Sequence, residues 1–112
     1  MIKDQMCTER QMKNLSFLID IKDASMSWVD GFPEINCGTG TPAYTVGDLI
    51  DKLPIEIDYK KSKYVLNYNN KNALYENIFN KEVVFCFRKE TLIENLYQCY
   101  KWLVEEKVIV KV

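Results

Sequence analysis

The sequence predicts an α+β fold: an antiparallel meander of about four strands packed against a C-terminal helix, with two shorter helices N-terminal to the sheet. Three observations predict it. Thr91 to Glu106 repeats apolar residues at helical spacing around most of its girth. Residues 55–87 break into short runs that alternate or are apolar throughout, joined by polar turns. Two capping signatures, each opening a short amphipathic stretch, come before them. At 112 residues, 47% hydrophobic and 28% charged, the chain has the size and composition of one domain, 1–112, with no linker long enough to divide it.

In chain order, Thr8 followed by Gln11 has capping-box spacing, and Met12, Leu15, Leu18 and Ile19 repeat behind it, so a helix is predicted from about Glu9 to Ile19. Ala24 to Val29 alternates like a short strand, and Asp30-Gly31 is a turn dipeptide. Gly31 to Pro42 is rich in glycine and proline and reads as a loop. Thr45 with Asp48 repeats the capping signature, after which Val46, Leu49, Ile50 and Leu53 form a short helix that Pro54 ends.

The meander then comprises Ile55 to Tyr59, Tyr64 to Tyr68, Leu74 to Phe79 and Val83 to Phe87. In the last helix Leu92, Leu96, Cys99 and Leu103 stack on one face. Ile93, Tyr97, Tyr100, Val104 and Trp102 widen it to an arc of roughly 220°, leaving Glu94, Gln98, Lys101 and Glu105 as a narrow wet stripe. The tail from Lys107 to Val112 alternates again, as an edge strand or a segment that pairs with another chain.

Composition removes several function classes. The net charge is −1 and only Arg10 and Arg88 are arginines, which argues against a dedicated nucleic-acid binder. Cys7, Cys37, Cys86 and Cys99 include no CxxC pair, and with no histidine in the chain neither a zinc set nor any other metal or cofactor is expected. Cys86 in its apolar run and Cys99 on the helix face read as buried free thiols. The start of the chain shows no signal-peptide core, and the longest strictly apolar run, Val83 to Phe87, is too short to cross a bilayer. No membrane association and a cytoplasmic location are the expectations.

Candidate sites are few. Cys37 is flanked by Gly38 and could act as a nucleophile beside backbone amides, but no histidine is present to activate it. Gly38 to Pro42 (GTGTP) resembles a phosphate cradle without the lysine of a Walker motif. Asp48 with Asp51, or Glu105 with Glu106, could be acid and base, though such spacings on helices usually mark a solvated face. Lys60, Lys61 and Lys63, beside Tyr64 and Tyr68, form a candidate single-stranded nucleic-acid patch, set against the reading of solubilising turns and half-buried tyrosines. Trp28, Phe32 and Tyr44 flank the glycine-rich stretch, either as an exposed partner surface or as the roof of the core.

Three segments taken together, Ala24 to Trp28 (ASMSW), Thr41 to Pro54 (TPAYTVGDLIDKLP) and Leu92 to Glu106 (LIENLYQCYKWLVEE), carry a resemblance. They resemble small uncharacterised proteins of prophages and mobile elements in gut Bacteroidales. The resemblance implies an accessory protein of a mobile element and brings no catalytic or ligand-binding residues with it. The tail departs from the short Gly-aromatic ending of that group. The functional expectation is therefore a small, non-enzymatic, cytoplasmic protein-interaction module of a bacterium, whose partner is another protein or a second copy of itself. A weak single-strand nucleic-acid binder is the alternative.

Overall fold

The computed structural model describes residues 5–69, 71–89 and 91–107. The capping box at Thr8 opens α1, Glu9–Ser16, with Thr8 Oγ1 accepting from the Gln11 amide and Gln11 Oε1 accepting from the Thr8 amide. The helix ends short of Ile19. Leu18 and Ile19 both donate to the Leu15 carbonyl, at 2.8 and 2.9 Å, and the competition for one acceptor closes the last turn.

The segment expected to be a loop corrects the sequence reading. Residues 31–42 contain two strands, so β1 (Met26–Val29), β2 (Phe32–Ile35) and β3 (Thr41–Ala43) make an antiparallel sheet in the order β2-β1-β3. Asp30 and Gly31 have φ of 50° and 83°, the left-handed pair that a tight hairpin turn demands, and they fold β2 back onto β1. At Gly40, φ is 73° and an added Cβ would lie 2.3 Å from the Trp28 carbonyl oxygen, so the approach to β3 needs glycine.

Helix α2, Val46–Lys52, begins at the second capping box. Its Asp48 also accepts from the backbone and side chain of Ser25, at 3.1 and 2.8 Å, which ties α2 to the start of β1.

The four-stranded meander is β4 (Glu56–Tyr59), β5 (Ser62–Tyr68), β6 (Ala73–Asn77) and β7 (Val83–Phe87), in the order β4-β5-β6-β7. Its register aligns Ile57, Tyr64 and Asn77 in one row, then Leu66, Tyr75 and Phe85, then Tyr68, Ala73 and Phe87. Strand β6 ends at Asn77 rather than Phe79. The Asn77 carboxamide accepts from the amides of Phe79 and Asn80, at 2.8 and 3.2 Å, and so turns the chain.

Helix α3, Leu92–Glu105, packs on β6, β7 and α2. Leu96, Cys99 and Leu103 are fully buried, and each leucine stabilises the fold by ~1.5–3 kcal/mol relative to exposure. Trp102 stacks on Phe85 at 4.9 Å and meets Tyr59 at 5.3 Å, joining the two outer strands of the meander through one ring. Asn95 is also fully buried. Its Oδ1 accepts from the Lys89 amide at 2.6 Å and its Nδ2 donates to the Lys89 carbonyl, clamping the connection from β7 to α3. Cys86 corrects a second expectation: Phe85 and Phe87 take the inner side of β7, and strand alternation leaves Cys86 exposed. Beyond Lys107 the alternating tail lies outside the described residues. Among the described residues no helix is long and apolar enough to cross a membrane.

Candidate functional site

Two stretches far apart in sequence, 16–24 and 36–42, face each other across an open cleft of about 700 Å³. The first follows α1 and the second runs from the end of β2 into β3. Ile19, Ala24 and Pro42 give it an apolar lining, with Ile19 and Ala24 almost completely buried. Asn36 braces the two walls, its Nδ2 donating to the Ala24 carbonyl at 2.8 Å and its Oδ1 accepting from the Gly38 amide at 3.1 Å. Asp20, on the opposite wall, accepts from the Lys22 amide at 2.9 Å. These polar side chains hold loops in place.

Beside the cleft, the Tyr44 hydroxyl donates to Asp23 at 2.7 Å, and Lys52 pairs with the same carboxylate. Burial pushes the Asp23 carboxyl up, but the Lys52 ammonium and the Tyr44 hydroxyl outweigh it and hold the group below its ordinary value. Burial, followed by the hydrogen bond to Asp23, pushes the Tyr44 phenol up and keeps it a donor. Tyr44 meets Tyr100 edge to face at 6.0 Å, so this network anchors the cleft wall to α3.

Trp28, Phe32 and Tyr44 do not form one exposed surface. Tyr44 is fully buried, Trp28 is half-buried with its Nε1 donating to the Cys7 carbonyl at 2.8 Å, and Phe32 alone is exposed, at 63%. The first two roof the core.

The lysine and tyrosine patch also separates. Lys63 pairs with Glu56 at 3.0 Å and approaches Asp58, and Tyr64 is buried against the core. Tyr68 lies at the far end of β5 from the Lys60-Lys61 turn, about 20 Å away along the strand. Of the three lysines, Lys60 and Lys61 pair with no carboxylate among the described residues.

The phosphate-cradle reading of residues 38–42 fails on geometry. Gly38 N already donates to Asn36, and Thr41 begins a strand rather than a helix. Cys37 is exposed with Thr39 Oγ1 3.7 Å from its sulfur. Asp48 is engaged in capping, while Asp51, Glu105 and Glu106 face solvent. Among the described residues no group of three or more His, Cys, Asp or Glu side chains could hold a metal ion.

Phe79, 85% exposed at the tip of the β6–β7 hairpin, is not legible as a surface residue because the run from Leu74 to Phe79 reads as one strand. Asn77 and Asn80 around it were the available turn signal. Compared with protein-family models, with curated proteins and with solved structures, the chain matches none.

Proposed function

We propose that this protein is a non-enzymatic protein-interaction module, acting in the bacterial cytoplasm as an accessory of a mobile element, with its partner seated in the cleft between residues 16–24 and 36–42. The observation that carries the reading is the cleft's lining: Ile19, Ile21, Ala24 and Pro42 lie beside Ser16, Asp20, Lys22 and Asn36 between two loops, of which Asn36 and Asp20 are held by hydrogen bonds to backbone groups. Such a lining suits an extended segment of another chain, because little further ordering is needed when the segment docks. Phe17, 78% exposed at the end of α1 and next to the lining residue Ser16, supplies apolar surface beside it.

The test is to fill the cleft. Ser16 is exposed and its hydroxyl donates only to the Lys13 carbonyl within its own helix, so Ser16→Trp blocks the mouth with little strain. Captures on immobilised wild-type and variant protein are compared by mass spectrometry, with light scattering to register self-association. The reading requires a species, or a dimer, that the wild type holds and the variant loses at unchanged melting temperature. Equal capture by both proteins contradicts it.

A further inference from the structure

The meander places two hairpin tips at one end. In an antiparallel sheet ordered β4-β5-β6-β7, the first and third turns lie on the same side, two strand spacings or about 10 Å apart. The first tip is Lys60-Lys61, with φ of 48° and 68°. Both central positions of this two-residue turn are left-handed, the conformation for which asparagine and glycine are the undemanding choices. Lysine occupies both. The third tip repeats the choice, with Lys81 at φ 64°. Among the described residues none of these three lysines pairs with a carboxylate, and all three are exposed.

On the third tip, two residues before Lys81, Phe79 is 85% exposed. Its hairpin is held by hydrogen bonds from the Phe79 and Asn80 amides to Asn77 Oδ1, from Lys81 N to the Asn77 carbonyl and from Asn77 N to the Glu82 carbonyl. Among the described residues the Phe79 ring stacks on no other aromatic ring.

We infer that this end of the sheet is a contact site for single-stranded nucleic acid, bound without sequence preference. Strained backbone that persists where cheaper residues would serve points to a role for the side chains it carries, and here the side chains are cations. A single strand offers a phosphate and a free base face at every nucleotide, which is what exposed lysines at neighbouring tips with an exposed aromatic ring on one of them complement. A folded acidic protein surface offers the charge but keeps most of its large apolar groups inside. Glu82 on the same turns, and Glu105 and Glu106 exposed one turn past Trp102, offset part of the positive charge, so the contact is weak and strongest at low salt. This site is separate from the cleft and stands independently of the protein partner proposed there.

Fluorescence anisotropy with a labelled 20-nucleotide oligothymidine tests it. Three lysine contacts give a slope of log affinity against log salt of about −2. The decisive variant is Lys60→Asn with Lys61→Gly, which relieves the turn. It should melt at a higher temperature than the wild type, bind several-fold more weakly at low salt and show a slope reduced to about −0.7. A gain in melting temperature excludes misfolding as the cause of lost binding. Phe79→Ala should weaken binding about tenfold, as expected for one lost base stack, and leave the slope unchanged. Absence of binding at 20 mM salt, or unaltered binding by the double lysine variant, overturns the inference. So does displacement of the oligonucleotide by polyglutamate at equal charge, which would assign the tips to an acidic protein instead.

Discussion

Cys7 and Cys99 are fully buried in the same core, and burial pushes both thiols up from 9.0 to about 12, with the Asp48 carboxylate adding to the effect at Cys7. A group whose pKa rises on folding stabilises fully below its unfolded value and loses that contribution as pH climbs towards the folded one. The window is therefore pH 9 to 12. At pH 10.5, which is 1.5 units above the ordinary value of 9.0, the loss is about 2 kcal/mol per thiol and about 4 kcal/mol for the pair. Urea unfolding followed by circular dichroism under reducing conditions at pH 7.5 and 10.5 measures it. With an m-value of about 2 kcal/mol/M, the thiols alone lower the midpoint by about 2 M. Tyr44 and Tyr75 are also raised by burial and add to the wild-type slope. The comparison with a Cys7→Ala, Cys99→Ala protein removes their share. That variant is less stable at pH 7.5 because of the space it leaves, yet its loss on going to pH 10.5 should be smaller by about 4 kcal/mol. An equal pH dependence in both proteins would refute the assignment of Cys7 and Cys99 to a dry core.

Asn95→Ala should destabilise by about 2 kcal/mol in thermal melts, since it leaves the part-buried Lys89 amide and carbonyl without their partner. Gly40→Ala should cost at least about 2 kcal/mol, because the added Cβ would press on the Trp28 carbonyl at a left-handed φ. Lys60→Asn with Lys61→Gly should gain about 1–2 kcal/mol in urea unfolding by relieving the turn. Tyr44→Phe should cost about 1 kcal/mol at neutral pH, a modest figure because Asp23 is half exposed. Since the folded Asp23 pKa is lowered, that stabilisation exists above its unfolded value of 3.8, so the difference between the two proteins should vanish as pH falls through the acid range.

What the sequence made legible was mostly local. Both capping boxes rest on residues three apart, and α3 announces its buried face through Leu96, Cys99 and Leu103, whose spacing fits one helical period. The meander was legible because short polar turns separate its strands. The second sheet was not, because its strands pair through turns at Asp30-Gly31 and the Gly38–Gly40 stretch, and the glycines and prolines that make those turns are the residues that mask strands. Asn95 sits in the helix as an ordinary polar residue, and its burial depends on Lys89, which the helical period does not reach. The cleft was invisible for the same reason, since its two walls come from distant segments joined through Asn36. The candidate patches dissolved because side-chain direction, rather than proximity in sequence, separates Tyr64 from Lys60 and Tyr44 from Phe32.

The proposal that the protein works by holding a partner in the cleft is tested most directly by nuclear magnetic resonance. The isotope-labelled protein is titrated with a nuclease-treated lysate of its source cells, and amide line widths are followed residue by residue. The account predicts broadening confined to amides lining the cleft, among them Ala24, Asn36, Gly38 and Gly40, and its disappearance in Ser16→Trp. Cleft amides that stay sharp while other surfaces broaden would contradict it.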